Sequence, residues 1–359
     1  MKENKARVIA FYLPQYHPIP ENDKYWGKGF TEWTNVAKAK PLFRGHYQPH
    51  IPADLGFYDL RLPEVREAQA ELARDAGIEG FCYYHYWFGN GKMLLQKPFE
   101  EVLRLGKPDF PFCLCWANHD WTTKTWVKGS SMVNNTMIAQ QEYLGEQDDI
   151  KHFEYCLRAF KDHRYITIEG KPIFLIYDPL SFPNVKEFMN RWNFLAKKNN
   201  LKGIYFIGVT TGRQSSYKIV TNLGFDGVCH NRRWEAEAKA AGFRFVRRMQ
   251  SLLGWHLGIS LMKYDYNKVV RNYDTPENKL ENCYPVITPG FDRTPRAGRR
   301  AGIYVNSSPK NFKKHVAEVC KSIQDKDDDH RLVFLSAWNE WGEGNYMEPD
   351  LKWGHGYLE

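Results

Sequence analysis

The chain has 359 residues, 43% of them hydrophobic and 15% aromatic, enough to bury one large core. Its 50 Lys and Arg stand against 42 Asp and Glu, a net charge of +8 spread along the chain. The basic pairs Arg247-Arg248 and Arg299-Arg300 form no stripe, and no recognition helix or RNA-binding sheet motif accompanies them, which argues against a nucleic-acid partner. No apolar run is long enough for an integral membrane segment, and Val8 to Leu13 is too short for a signal sequence, so the expectation is a cytoplasmic protein, given that no leader has been removed. The seven Cys are odd in number, scattered and mostly within apolar runs, as reduced core thiols would be.

In chain order, Val8 to Leu13 is an unbroken apolar run stopped by Pro14, the pattern of a strand buried on both faces. Tyr16 to Asp59 follows as a long irregular loop rich in Pro, Gly, His and aromatics. Pro63 to Ala76 is the clearest helix, with Pro in the first turn, Val65, Ala68, Leu72 and Ala76 on one face, and Gly77 as C-cap. Strands are expected at Gly80 to Tyr84, Pro111 to Trp116, Pro172 to Tyr177, Gly203 to Gly208, Phe225 to Cys229, Tyr284 to Thr288 and Leu332 to Ala337. Helices are expected at Leu94 to Leu105, Glu146 to Asp162, Val185 to Lys198, Gln214 to Asn222, about Phe243 to Trp255, Tyr266 to Asn272 and Pro309 to Gln324.

Eight strands alternating with helices predict a (β/α)8 TIM barrel, a single domain over 1–359 with long βα loops. An open doubly wound sheet has the same alternation. The barrel is favoured because the first turn, Pro14 to Pro18, lacks a glycine-rich phosphate fingerprint, and polar and aromatic residues follow nearly every strand instead of one switch point.

On that barrel, the rim beyond the strand ends collects Tyr16 and His17, then His85 and Trp87, then Asn118, His119 and Trp121, then Asp178, His230, Trp234 and Asp292. The last strand delivers Trp338-Asn339-Glu340-Trp341-Gly342-Glu343-Gly344-Asn345-Tyr346-Met347-Glu348-Pro349. Carboxylates among aromatics, His and Asn are what glycosidic cleavage requires: one group activates an attacking oxygen, another protonates the leaving oxygen, and flat rings stack on the sugar. Glu340 and Glu343 are the candidate catalytic pair. No metal site is expected: His46 and His50 are separated by Pro49, and Cys113 and Cys115 share a strand face with no second pair nearby. There is no nucleophile elbow and no phosphate-binding loop, and Ser307-Ser308-Pro309 reads as a helix start.

Two stretches carry a family resemblance. Phe11-Tyr12-Leu13-Pro14-Gln15-Tyr16-His17-Pro18-Ile19-Pro20-Glu21-Asn22-Asp23 with Trp26-Gly27-Lys28-Gly29-Phe30-Thr31-Glu32-Trp33-Thr34-Asn35-Val36 resembles the opening signature of the WbsX-like proteins, a group related to glycoside hydrolase family 99. The segment from Trp338 to Gly344, followed by Glu348-Pro349-Asp350, resembles the closing signature. The resemblance spans nearly the whole chain. It implies a (β/α)8 fold and a retaining endo-type hydrolase of α-linked mannan-like or bacterial surface polysaccharide, acting through a 1,2-anhydro sugar without metal or organic cofactor. Glu340 would deprotonate the sugar 2-hydroxyl and Glu343 would be the acid/base.

The substrate-binding set on this reading is Tyr16, His17, Glu32, Trp33, His85, Trp87, Asn118, Trp121, Asp178, His230, Trp234, Asn339, Trp341, Tyr346 and Glu348, the last as support or substrate contact. One position departs from the family hydrolases, which usually have Glu-Trp-His-Glu: Gly342 stands where His would be. Two alternatives stay open, a glycosyltransferase of lipopolysaccharide, O-antigen or capsule biosynthesis and a non-catalytic carbohydrate-binding scaffold.

Overall fold

The computed structural model describes residues 6–123, 136–212, 214–242, 249, 252 and 262–359. Eight parallel strands form its centre: β1 (Arg7–Tyr12), β2 (Gly80–Trp87), β3 (Phe112–Trp116), β4 (Lys171–Ile176), β5 (Tyr205–Val209), β6 (Gly227–His230), β7 (Cys283–Ile287) and β8 (Leu332–Leu335). Each pairs with the next in register. β8 returns to β1 through Arg7↔Leu332 to Ala10↔Leu335, closing the sheet into a barrel. The expected (β/α)8 fold is therefore the one observed, and the open sheet is not. β3, β5 and β7 are buried at every residue, which is why they read as continuous apolar runs instead of alternating ones.

Helices cover the barrel. They include α1 (Pro63–Asp75), α2 (Lys97–Leu105), α3 (Glu146–Phe160), α4 (Val185–Lys198), α5 (Tyr217–Asn222), α6 (Arg233–Ala240), α7 (Tyr266–Val270) and α8 (Pro309–Ser322). Proline opens α1 and α8 at the first turn. At α8 the Ser308 hydroxyl also accepts from the Asn311 N–H, so the Ser-Ser-Pro run is the helix start its composition predicts.

Three local expectations are corrected. Met93–Leu94 pairs back on β2 as a short strand, so α2 begins only at Lys97, where Pro98 suits a first turn. The segment after β1 is not wholly irregular: Pro20–Trp26 and Glu32–Lys38 are helices, the second opened by reciprocal Thr31 and Thr34 capping. α6 is a helix the sequence reading did not anticipate. The helix expected at Phe243 to Trp255 lies outside the described residues. Six of the seven cysteines are buried, and all seven are free. Among the described residues no helix is long and apolar enough to cross a membrane.

Candidate active site

The C-terminal mouth of the barrel holds a cavity of about 240 Å³. It is lined by the aromatic side chains Tyr84, Tyr86, Trp121, Tyr177, Trp234 and Phe291 together with Glu340, Glu343, Arg233 and Arg296. A sugar ring between such faces buries its apolar carbons against aromatic surface and keeps its hydroxyls for polar partners.

One guanidinium organises the acidic groups. Arg296 Nε donates to Glu32 Oε1 at 2.8 Å, Nη2 donates to Glu340 Oε2 at 2.6 Å, and Nη1 lies 2.7 Å from Glu343 Oε1. Arg296 is carried on the short helix Thr294–Ala297 after β7. Asp292 anchors that helix: its carboxylate accepts from the Thr294 N–H at 2.9 Å, His46 Nε2 at 2.7 Å and Gln48 Nε2 at 2.8 Å, while its own N–H donates to the Glu343 carbonyl at 2.5 Å. The loop after β7 and the loop after β8 are thereby locked together. Gly344 permits the approach, since it has φ +55° and an added Cβ would sit 2.9 Å from Asp292 Cβ.

The carboxyls are not equivalent. Burial pushes Glu340 up to about 8, with Arg296 opposing and the charges of Glu343 and Glu32 adding to the rise. Burial also acts on Glu343, but Arg296, Arg293 and Arg233 outweigh it and hold that carboxyl below its usual range. Glu32 is fully buried, and burial raises it against the pull of Arg296.

Of the residues singled out in the sequence, Trp121, Trp234, Glu340 and Glu343 line the cavity, as does His119. A second group does not line it and is bonded within the fold. Tyr16 OH donates to the Asn339 carbonyl and accepts from the Trp341 N–H, Trp33 Nε1 donates to the Tyr58 carbonyl, and Asn339 exchanges two hydrogen bonds with the Leu13 backbone. Trp341 stacks on Tyr346 with ring centroids 3.7 Å apart, and Tyr346 OH donates to Asp350. Glu348 is 2% exposed and accepts from Trp341 Nε1 at 2.5 Å, Gln69 Nε2 at 2.6 Å and Tyr58 OH at 2.9 Å. Burial pushes its carboxyl up to about 7.

The other members are engaged away from the cavity lining. His17 Nδ1 donates to the Pro14 carbonyl, and burial lowers it to about 4. His85 and His152 share a hydrogen bond of 2.8 Å between Nε2 atoms, with Trp87 stacked on His152. These two rings and the Cys156 thiol place ligand atoms within 4.8 Å of one another, but burial depresses both imidazoles, and the short contact is that of a neutral donor–acceptor pair. Asn118 bridges the Asp178 backbone and Tyr143, Asp178 caps Ser181, and His230 faces Asn278.

Sequence reasoning stopped at Asp292 and missed Arg293 and Arg296, four residues or fewer beyond it in the same βα loop. It also missed Arg233, next to the chosen Trp234, and the tyrosines Tyr84, Tyr86 and Tyr177. Tyr84 and Tyr86 alternate along the end of β2, a period-two signal that could have found them.

A family model described as "Glycosyltransferase WbsX" matches residues 8–359. Proteins named WxcX from two strains of Xanthomonas campestris pv. campestris, themselves uncharacterized, are each 34% identical over 355 residues, which is 99% of this chain and 49% of theirs. The chain thus spans about half the length of these curated relatives. Among solved structures, a GH99 endo-alpha-mannosidase from Bacteroides thetaiotaomicron superposes with a TM-score of 0.54 at 16% identity, covering 98% of this chain and 94% of that one. A structure described as a glycoside hydrolase-like protein gives a TM-score of 0.60 at 16% identity, covering 98% and 92%. At these identities the superpositions show a shared fold.

Proposed function

The chain belongs to the family described as glycosyltransferase WbsX, and from that premise we propose that it is a glycan-active enzyme, a retaining endo-type glycoside hydrolase of α-linked polysaccharide acting through a 1,2-anhydro sugar intermediate. One observation carries the reading. Glu340 and Glu343 bind adjacent nitrogens of a single guanidinium at the C-terminal mouth of the barrel, beside a cavity walled by aromatic rings. Two carboxyls at one sugar-sized cavity supply the acid and the base that glycosidic cleavage needs. The (β/α)8 fold shared with an endo-alpha-mannosidase supports an α-linked, mannan-like or bacterial surface glycan as substrate.

The test is to incubate the protein with α-mannan and bacterial surface glycans and follow new anomeric signals by NMR. A product retaining the α configuration is expected. Inverted product, or none across the panel at high enzyme concentration, overturns the reading.

The family's description motivates a second reading, a sugar-nucleotide-dependent transferase of surface-polysaccharide assembly. It predicts saturable binding of a sugar nucleotide, read as a concentration-dependent rise in melting temperature. No such rise is expected for a hydrolase.

A further inference from the structure

The turn after β1 carries a side chain that the fold leaves unpaired. Gln15 lines the same cavity as Glu340 and Glu343 and is 1% exposed, and its Nε2 has no hydrogen-bond partner among the described residues. An amide taken out of water without a partner destabilises the folded state, so such groups are rare in native proteins and call for a reason.

The residues around Gln15 are all engaged. Leu13 exchanges two hydrogen bonds with the Asn339 side chain, His17 Nδ1 donates to the Pro14 carbonyl, and the Gln15 carbonyl itself accepts from the Glu32 N–H at 3.1 Å. Tyr16 OH bonds to the Asn339 carbonyl and to the Trp341 N–H. The backbone on both sides of Gln15 is thereby tied to the two residues that flank Glu340 in sequence. A side chain on so fixed a base is held ready at the cavity, and a ligand that meets it has little left to order.

Other polar side chains of the lining are bonded within the protein. Asn345 Oδ1 accepts from the Ser336 hydroxyl at 2.7 Å, Asn231 Oδ1 accepts from the Arg233 N–H at 3.2 Å, and Thr288 Oγ1 donates to the Gly290 carbonyl at 3.1 Å. Gln15 differs from these in keeping a buried donor for something else. A carboxamide carries a donor and an acceptor on one carbon, and a half-turn about its last bond exchanges them. That pair complements two neighbouring sugar hydroxyls, one accepting and one donating.

We propose that Gln15 is a sugar-binding residue, which holds a hydroxyl-bearing ring of the glycan in the catalytic cavity through its carboxamide. The proposal rests on the glycan reading above and adds a binding group to that site. A polar group left unpaired until the ligand arrives also sets specificity, since a sugar lacking the hydroxyl at that point leaves the amide as it was.

Gln15→Met keeps the length of the side chain and removes both polar ends. The probe is an α-linked mannotetraose, its binding measured by calorimetry, with melting temperatures taken on the free proteins. The variant should bind the probe about tenfold more weakly or worse, the loss of one hydrogen bond or two. Its melting temperature should equal or exceed that of the parent, because a buried unpaired amide has been removed. Equal affinity of variant and parent overturns the proposal. So does a variant that melts below the parent or fails to fold, since Gln15 would then serve the structure.

Probes lacking one hydroxyl each supply the second measurement. One of them should bind the parent about tenfold more weakly than the full tetraose does, and should bind Gln15→Met no more weakly than the full tetraose does. A series with no such member refutes the contact. If the parent does not bind the mannotetraose, the mannan-like substrate falls together with the proposal; if parent and Gln15→Met bind and cleave it equally, the proposal falls alone.

Discussion

Gly342 and Glu32 compete for one space. A Cβ on Gly342 would overlap Glu32 Oε1, with the Glu32 carboxyl carbon at 2.7 Å and Arg296 Nε at 3.0 Å. Glu32 comes from the loop after β1 and Arg296 from the loop after β7, so their ion pair fills the volume in which a side chain at position 342 would lie. The absence of the histidine usual in the hydrolases is thus matched by a buried acid and base from elsewhere in the fold.

Gly342→Ala should cost about 1–3 kcal/mol of stability, as an overpacked site does, measured by urea denaturation. The cost should shrink in a Glu32→Ala background, giving a coupling energy on the order of 0.5–3 kcal/mol in the double-mutant cycle. Additive costs would show that the two residues do not share the space.

Arg296 holds both of the carboxyls proposed to be catalytic. Its replacement by Lys keeps the charge but cannot hold three carboxyls on one planar fork, and kcat on a cleaved glycan should fall roughly a hundredfold with KM little changed. Arg296→Gln should also lose about 3–5 kcal/mol of stability, since buried carboxylates are left without their partner. A rise in KM at constant kcat would make Arg296 a substrate contact instead.

Stability should fall as pH rises from 6.5 to 8. Glu340, pushed up to about 8, and Glu348, pushed up to about 7, bind protons in the folded state that the unfolded chain has already lost, so their contribution is full below the ordinary carboxyl range and is lost as pH rises through their folded values. Buried His17, lowered to about 4, acts the other way, but its stability is lost only as pH falls below the ordinary imidazole value. Lys326, lowered to about 8, adds stability as pH rises above that value. Denaturation midpoints at pH 6.5, 7 and 8 measure the decline. Glu340→Gln should remove the part that persists above pH 7, and an unchanged slope in that variant would contradict the elevation of the Glu340 carboxyl.

Trp234 lies on the cavity wall and is 40% exposed, so it has little packing to lose. Trp234→Ala should leave the melting temperature near that of the parent and raise KM for a cleaved oligosaccharide roughly two- to tenfold, the loss of one aromatic stacking face. A fall in melting temperature without a change in KM would move this residue from the binding wall to the fold.

Much of this protein was legible in the sequence because its signals are local. Val8 to Leu13 and Leu332 to Leu335 announce buried parallel strands through unbroken apolar runs, and eight such strands with helices between them leave few architectures. Glu340 and Glu343 stood out because a core strand runs straight into them. What the tertiary structure decided is which distant groups meet them. Arg293 and Arg296 are near neither glutamate in sequence, and only barrel closure brings the loop after β7 beside the loop after β8 and Glu32 from the first loop onto the same guanidinium. Electrostatics follow distance in space, not along the chain, so the unequal environments of two carboxyls three residues apart exist only once the barrel is closed.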